Sequence, residues 1–404
     1  MRILSGCDPK SMRTQLENLG VDAGGIRRML GKTRVLNILL HRMPCGAANI
    51  LKQEMLSLGG DAAVARGTVC CSISHSDVLL MGTPRQLEDL PQRLAAQPFG
   101  LAAVGEELRM LLQRSETPAQ HLEGRGATLD LTQPCVMGIL NATPDSFHDG
   151  GTCAGVDDLL RRAEEQVRGG VDVFDVGGES TRPGAPQVDL DAELERVLPL
   201  VEALKREFDV PVSVDTTKAE VARNSIECGA AFINDISGLK FDPHMAEVVA
   251  QKRAGVFVMH TPARPEVMQN HISYTDLMGE VVAELKGSAA AAQTAGVDPE
   301  YIALDPGIGF GKGVADNLTL IRHLDEIVAL GFPVLLGTSR KSFIGRVLGQ
   351  PETAERLTGS LSTIVLGLNY GARIFRVHDV APSRQALDMA WAVINNHCNC
   401  SIGA

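Results

Sequence analysis

Eight apolar segments of strand length between residues 135 and 379 each end in polar or ionisable side chains. Any one of these could be a helix cap or a loop hydrogen bond. Eight at equivalent positions indicate a shared site, because the carboxyl ends of parallel strands in a barrel meet at one mouth. The side chains are those of Asn141, Asp175, Asp215, Asn234, His260, Asp305, Ser339 with Arg340 and Lys341, and Arg376 with His378 and Asp379.

One subset consists of carboxylates and an amide, namely Asp175, Asp215, Asn234 and Asp305. Buried carboxylates need hydrogen-bond donors, since an unpaired buried charge is costly. A flat heterocycle carrying amino and NH groups would supply those donors. We therefore expect these four residues to bind such a ring deep in the barrel.

A second subset is cationic and follows the second, seventh and eighth strands: Arg182, Arg340, Lys341, Arg376 and His378. Loops after the last two strands of a barrel commonly bind phosphate. Forked guanidinium groups match phosphate oxygens. The sequence thus predicts a carboxylate floor below a phosphate-binding rim.

Three loops add candidate contacts. The first strand ends at Asn141 and runs into TPDSFHDGG, whose Phe147 can close over a ligand. GGESTRPG, 177–184, follows a rim aspartate and is expected to face the ligand, although a plain glycine-rich loop explains it too. GIGFGKG, 307–313, is interpreted as a flexible turn, because the order and spacing of a phosphate-binding P-loop are missing.

The histidines give little sign of a transition-metal site. His260, His271, His323 and His378 lack HxxxH-type spacing, which argues against zinc. Magnesium is different, because it keeps most of its waters and needs few protein ligands. Asn141 beside a diphosphate would suit that ion.

The spacing of these segments predicts an α/β fold. Apolar runs alternate with helical patterns, which favours a closed (β/α)8 TIM barrel over an open sheet, where a glycine fingerprint would follow the first strand. The predicted strands are 135–141, 171–177, 210–216, 231–237, 255–260, 301–305, 333–338 and 373–379.

The chain of 404 residues is long enough for a second, smaller domain. Residues 1–125 are predicted to form a small α/β domain, with 113–134 as a polar linker and the barrel at 133–397. Strands are expected at 35–41 and 76–83, and helices within 45–60, 85–97 and 99–114. A dimerisation or regulatory module, a cap on the barrel and a second ligand-binding unit remain open as roles.

Composition excludes several classes of function. The net charge of −11 and the absence of a basic stripe argue against a nucleic-acid partner. No apolar run approaches a membrane span, and a cytosolic location is expected. Nine cysteines without CxxC spacing predict reduced thiols, with Cys70 and Cys71 in the core of a strand-like run. Cys398 and Cys400 are interpreted as part of a frayed tail rather than a soft-metal or disulfide site.

Seven ordered motifs together resemble dihydropteroate synthase over residues 133–397. They are ILNATPDSFHDGG, DVGGESTRPGA, SVDTTKAEV, FINDISG, LDPGIGFGK, LLGTSRKSFIG and FRVHDV. The resemblance implies condensation of hydroxymethyl-dihydropterin diphosphate with para-aminobenzoate to give dihydropteroate and diphosphate in folate biosynthesis. After the fifth strand MHTPARPEVMQ departs from the usual family pattern, which we interpret as a loop variation.

The resemblance also implies a role for each matched position. Asp215, Asn234, Asp305 and Lys341 would hold the pterin, with Asp175 nearby. Asn141 would contact magnesium-bound diphosphate, and Arg376 and His378 would grip its oxygens. The para-aminobenzoate site would include Phe147, Thr181, Arg182, Pro183, Phe310, Lys341 and Ser342. Sulfonamide inhibition and a homodimer are further implications.

Two alternatives remain. A pterin-binding methyltransferase would share the carboxylate floor, but it needs no diphosphate grip, so SRKSF and TPDSF argue against it. A non-catalytic pterin-binding module is the other, although none of the matched rim residues has been lost.

Overall fold

A computed structural model describes residues 4, 9–142, 152–180, 187–265, 267–268 and 273–395. The chain divides into two compact units, Met1–Glu116 and Thr117–Ala404. Among the described residues, no helix is long and apolar enough to cross a membrane.

The N-terminal unit holds a three-stranded antiparallel sheet in the order β1–β3–β2. One face of the sheet is buried, since Ala62, Val78 and Leu80 pack with Leu51 of α3 and Leu87 of α4. The elements are α1 Pro9–Asn18, α2 Ala23–Leu30, β1 Leu36–Pro44, α3 Cys45–Ser57, β2 Asp61–Val64, β3 His75–Gly82, α4 Pro84–Leu94 and α5 Leu101–Glu116.

The predicted strands and helices of this unit are present, but the sequence did not indicate α1, α2 or β2. The prediction for Cys70 and Cys71 was wrong. Both lie in a turn that follows the 3-10 helix Arg66–Thr68, and both are exposed. An apolar run alone does not distinguish a buried strand from a turn.

The second unit confirms the predicted TIM barrel. Eight parallel strands pair in the order β11–β10–β9–β8–β7–β6–β13–β12, and a bridge from Leu304 to Val334 links the two ends. The strands are β6 Cys135–Asn141, β7 Val173–Gly177, β8 Val212–Asp215, β9 Phe232–Asp235, β10 Gly255–Met259, β11 Ile302–Asp305, β12 Leu335–Leu336 and β13 Ile374–Val377.

Helices surround this sheet and bury its outer face. Aliphatic side chains such as Val214, Ile233 and Val258 pack against helix residues such as Leu200 and Leu285. The helices are α6 Thr152–Arg168, α7 Leu190–Glu207, α8 Ala219–Glu227, α9 Met245–Lys252, α10 Leu277–Thr294, α11 Val314–Arg322, α12 Leu324–Val328, α13 Ser342–Leu348, α14 Leu357–Asn369 and α15 Val380–Asn395.

The boundary between the two units, after Glu116, falls within the linker predicted at 113–134, but most of that stretch has regular structure. The stretch contains the end of α5 and a hairpin, β4 His121–Gly124 with β5 Ala127–Asp130. Leu122 and Leu129 of the hairpin pack with Phe232 and Phe257 from the barrel interior. The short apolar alternation in HLEG and ATLD is a strand pattern that the surrounding polar residues hide. This hairpin closes the amino end of the barrel, so the site lies at the opposite end.

Candidate active site

The centre of the barrel mouth is a hydrogen-bonded network around Asp175. This carboxylate lies on β7 and is fully buried. Its Oδ1 accepts from Ser213 Oγ at 2.8 Å, and its Oδ2 accepts from Asn234 Nδ2 at 3.2 Å and Arg376 Nε at 2.6 Å. Asp175 is therefore fully provided with donors by the protein itself.

Arg376 forms hydrogen bonds with carboxylates on two different strands. Its Nη2 also donates to Asp215 Oδ2 at 2.8 Å. Burial lowers the pKa of Arg376, but the carboxylates of Asp175 and Asp215 outweigh burial and raise it. We predicted Arg376 in the phosphate rim; in this structure it lies on the carboxylate floor. Its position on β13 puts the guanidinium across the mouth from β7 and β8, which strand-end spacing alone could not show.

Asp215 and Asn234 keep capacity for a ligand. Burial raises the pKa of Asp215 to about 7, with Arg376 opposing the shift. Asn234 Oδ1 is buried and, within the described part of the chain, accepts no hydrogen bond. A ring N–H would satisfy this oxygen, as the sequence predicted for this position.

Asp305 and Lys341 form the opposite wall. Asp305 Oδ1 accepts from the Gly307 backbone N–H at 2.7 Å, and burial raises the pKa of Asp305. Lys341 Nζ donates to the Ile308 carbonyl and lies 4.8 Å from the centre of the Phe310 ring. Burial lowers the pKa of Lys341 to about 8, and Asp305 opposes that shift.

The remaining rim residues form two pairs. Ser339 Oγ accepts from the His378 backbone N–H at 3.1 Å and lies 3.0 Å from His378 Nδ1. Arg340 Nε donates to Asp379 Oδ2 at 2.8 Å. Arg340 was grouped with the phosphate-binding cations, but this bond holds its guanidinium against Asp379. Ser342 is the first residue of α13, directly after Lys341.

Four predicted site residues, Phe147, Thr181, Arg182 and Pro183, lie outside the described residues. Asn141 ends β6, as predicted. A Cβ built on Gly177 would lie 3.6 Å from Asn141 Oδ1 and 4.0 Å from Asp215 Oδ2, so both oxygens lie near Gly177.

A small open cleft lies beside the floor. Its lining includes Asp215 and Thr216 from the β8 end, Glu179 from the β7 end, and Phe241 and Arg264 from later loops. An aromatic ring and polar groups around a buried carboxylate are typical of a small-molecule site.

Sequence reasoning missed Lys312. The motif GIGFGKG was interpreted as a plain turn, yet Lys312 is 4% exposed and its Nζ donates to the carbonyls of Gly307 and Phe310, each at 3.0 Å. His260 Nδ1 lies 2.9 Å from the same nitrogen. Burial lowers the pKa of Lys312 to about 7 and that of His260 to about 3. Lys312 stands between two glycines beyond the end of β11 at Asp305, and that local pattern alone does not indicate a buried lysine.

Replacing Lys312 with methionine is expected to destabilise the barrel by about 1–3 kcal/mol. The methionine keeps an unbranched apolar chain but leaves the buried Gly307 carbonyl and the partly buried Phe310 carbonyl without their donor. Urea unfolding of the full chain measures the effect. Lys205→Met on the exposed face of α7 is the matched control and should change stability little. Equal stability of both variants and the wild type would show that Lys312 does not hold this loop.

Comparison with known proteins identifies the family. The family model described as "Pterin binding enzyme" matches residues 137–378. The dihydropteroate synthase of Synechocystis sp. is 48% identical over 258 residues, which cover 64% of this chain and 89% of that relative.

A second relative also matches the N-terminal unit. The probable bifunctional folylpolyglutamate synthase/dihydropteroate synthase of Halobacterium salinarum is 43% identical over 380 residues, or 94% of this chain. An alignment of that extent covers most of residues 1–116. The chain spans only 45% of that relative's length.

Among solved structures, the Xanthomonas albilineans dihydropteroate synthase with 4-aminobenzoic acid superposes with a TM-score of 0.65. The two sequences are 40% identical, and the match covers 69% of this chain and 100% of the Xanthomonas chain. The strand-end motifs, the barrel and these matches agree, and the chain belongs to the pterin-binding enzyme family, as a member similar to dihydropteroate synthases.

Proposed function

We propose that the barrel condenses hydroxymethyl-dihydropterin diphosphate with para-aminobenzoate, giving dihydropteroate and diphosphate. The observation that carries the proposal is the floor of Asp175, Asp215, Asn234 and Asp305 with Lys341 beside it. The similarity to dihydropteroate synthases, one of them solved with 4-aminobenzoic acid, supports the same reaction.

The floor would recognise the pterin through its donors and acceptors. Asn234 Oδ1 can accept from a ring N–H, and the carboxylates of Asp215 and Asp305 can accept from amino and NH groups. Lys341 would donate to a ring acceptor in place of the Ile308 carbonyl it now meets. Binding would also give Asn234 Oδ1 the donor that it lacks among the described residues.

Arg376 would change partners when the pterin binds. Its Nη2 is bonded to Asp215, the carboxylate that the pterin donors would reach. Donors from the ring would compete with that bond and leave Nη2 available to a diphosphate oxygen, while Nε stays on Asp175. This exchange reconciles the predicted phosphate contact with the floor position in the structure.

Reaction would begin with cleavage of the bond between the pterin methylene carbon and the diphosphate oxygen. The oxygen takes the electron pair, and the Arg376 guanidinium and the His378 imidazole at the β13 end would stabilise its charge. The carboxylate floor would stabilise the methylene cation. The amine of para-aminobenzoate then forms the new carbon–nitrogen bond and loses a proton. We propose departure before attack; failure to detect any pterin cation-derived product without the amine would weaken that order.

A magnesium ion at this site would take one ligand from the protein and the others from water and the substrate phosphates. Among the described residues no group of three or more acidic, histidine or cysteine side chains could hold a metal. We propose that Asn141 Oδ1 is the protein ligand, which suits an ion that keeps its waters and binds substrate phosphates. The bound ion would neutralise charge on the leaving diphosphate.

Removing divalent cations with EDTA is expected to lower turnover by about 10²-fold or more, because charge on the leaving group would lose its main counterion. Added magnesium should restore the rate. Asn141→Ala should raise the magnesium concentration needed for half-maximal rate. Full activity in EDTA-treated, metal-free buffer would contradict a magnesium requirement.

The pH dependence of kcat/KM should be bell-shaped. Asp215 must be ionised to accept pterin donors, so activity rises as pH increases through about 7. Lys341 must be protonated to donate, so activity falls as pH increases through about 8. Because the two groups share a site, the two limbs report apparent values of the pair. Lys341→Arg should move only the alkaline limb upward; an unmoved limb would exclude Lys341 as its origin.

The direct test is diphosphate release by the full chain given the pterin diphosphate, magnesium and para-aminobenzoate. Release that depends on the amine, with dihydropteroate formed in equal amount, is expected. Methyl transfer from methyltetrahydrofolate without diphosphate release would support the methyltransferase alternative. Pterin binding with no turnover of either kind would support a non-catalytic module.

We also propose inhibition by sulfonamides, a cytoplasmic location and a homodimer. Reduced cysteines support the location, since the five whose side chains are described are free thiols. Exposed Leu366 on α14 and Met389 and Val393 on α15 support self-association through these helices. Light scattering of the full chain, compared with Met389→Glu, tests the dimer.

A further inference from the structure

Three thiols of the N-terminal unit lie together at the start of α3. Cys45 is the first residue of that helix and is buried, whereas Cys70 and Cys71 lie in the exposed turn before β3. Cys45 Sγ lies 2.8 Å from Cys71 Sγ. This contact is between residues 26 positions apart in the sequence, so folding of the unit creates it.

Several hydrogen bonds hold the two sulfur atoms in this position. The Thr68 carbonyl accepts from Cys45 Sγ at 2.9 Å, from the Cys71 backbone N–H at 3.1 Å and from Asn49 Nδ2 at 2.8 Å. The same amide nitrogen lies 4.0 Å from Cys45 Sγ and 3.8 Å from Cys71 Sγ. Both cysteines are thus anchored to one backbone carbonyl.

A close pair of thiols can hold a metal ion or form a disulfide bond. Two thiolates on a tetrahedral zinc ion would lie about 3.8 Å apart, and the sulfur atoms of a disulfide bond are about 2.05 Å apart. The separation of 2.8 Å lies between these two values. A structural zinc site needs four ligands, and among the described residues no group of three or more acidic, histidine or cysteine side chains could hold a metal. The pair is therefore better suited to oxidation than to metal binding.

We propose that Cys45 and Cys71 are a reversible thiol–disulfide site that responds to hydrogen peroxide. The exposed Cys71 thiolate attacks peroxide, which gives a sulfenic acid and, after proton uptake, one water. Cys45 then attacks the sulfenic sulfur; the S–S bond forms and the hydroxyl group leaves with the Cys45 proton as a second water. Two thiols are oxidised and one peroxide is reduced, and an added dithiol reverses the change.

The burial and contacts of the three cysteines indicate which thiol reacts first. The contact with the Cys71 thiol, and burial, raise the pKa of Cys45 to about 11, so Cys45 remains a thiol until its partner is oxidised. Cys70 is exposed, and its pKa is lowered by hydrogen bonding with the Ser72 hydroxyl and backbone. Cys70 is therefore the competitor for peroxide, but the only sulfur–sulfur hydrogen-bond contact among the described residues joins Cys45 to Cys71.

The disulfide would fasten the amino end of α3 to the turn before β3. The closed loop, residues 45–71, contains α3 and β2, which supply Leu51, Met55 and Ala62 to the core of the unit. Cross-linking restricts the unfolded chain and stabilises the folded unit. Oxidation should raise the thermal midpoint of this unit by about 5 °C or more.

The test oxidises the full chain with hydrogen peroxide, blocks remaining thiols with N-ethylmaleimide and maps tryptic peptides without reduction. Cleavage at Arg42, Lys52, Arg66 and Arg85 would put Cys45 in peptide 43–52 and both other cysteines in peptide 67–85. The expected product is these two peptides joined, two hydrogen masses lighter than their sum, and separated again by dithiothreitol. Absence of that product from folded wild-type protein overturns the proposal.

Adjacent serine variants identify the sulfur involved. Cys70→Ser should retain the joined peptides and the rise in thermal midpoint, whereas Cys71→Ser should lose both. The reverse result, or joining that persists in Cys71→Ser, assigns the bond to Cys70 and overturns the proposal. Peptide mapping of the wild-type protein tests the proposal by itself, so the test still holds if a variant folds poorly.

Discussion

Replacing Lys341 with alanine is expected to lower kcat/KM for diphosphate release by about 10²–10³-fold. The lysine lies at the wall of the mouth opposite Asp175, with Nζ beside the Ile308 carbonyl and over Phe310. It is the one side chain predicted to contact both the pterin and the arylamine. Its loss removes a charged donor from a water-poor site, where such groups have their largest effect on a transition state.

Steady-state rates for both substrates, with Lys205→Ala on α7 as the control, measure this effect. Lys205 is exposed, so its removal should leave the rates unchanged. Circular dichroism and urea unfolding must show that Lys341→Ala is folded. A folded variant that retains more than about a tenth of wild-type kcat/KM would remove Lys341 from the catalytic residues. Lys341→Arg should recover part of the rate, because it retains the positive charge in less suitable geometry.

The residues near the strand ends were predictable because the carboxyl ends of all strands in a parallel barrel lie at the same mouth. Each apolar run buried on both faces fixes roughly where the strand ends. Asp215 and Asp305 end β8 and β11, and Asn234 and Asp175 lie one and two residues before the ends of β9 and β7. The fold class followed from the same alternation. These inferences used only local periodicity and one geometric rule.

Long-range pairing was not predictable in this way. The partners of Arg376 are Asp175 and Asp215, which are 201 and 161 positions away, and no local spacing links them. Lys312 was missed because a lysine between glycines is normally exposed. The hairpin at 121–130 was missed because its apolar residues are few, yet Leu122 and Leu129 are buried by the barrel that they close. Such features depend on neighbours that only the fold supplies.

Replacing Arg376 with methionine is expected to cost about 3–5 kcal/mol of stability at pH 8 and to lower kcat/KM by about 10³-fold or more. The guanidinium neutralises Asp175 and Asp215, both buried, and an uncompensated buried charge is strongly destabilising. The loss of activity follows because the variant can neither balance the floor nor reach the diphosphate.

The stability loss should depend on pH. Burial already raises the pKa of Asp215 to about 7 with Arg376 present, and removing the cation raises it further. At pH 6 the protonated Asp215 carries no charge, so the variant should lose less stability than at pH 8. Urea unfolding of wild type and Arg376→Met at both pH values measures the difference.

A double variant separates charge from packing. Arg376→Met with Asp215→Asn removes one positive and one negative group, so it should regain part of the stability lost at pH 8 without regaining activity. If both variants lose equal stability at both pH values, the arginine acts through packing of its stem and not through its charge. Recovery of stability at pH 8 would show that the unbalanced buried charge, and not lost packing, destabilises Arg376→Met. Activity should stay lost in the double variant, because it lacks both the cation and the Asp215 carboxylate that would bind the pterin.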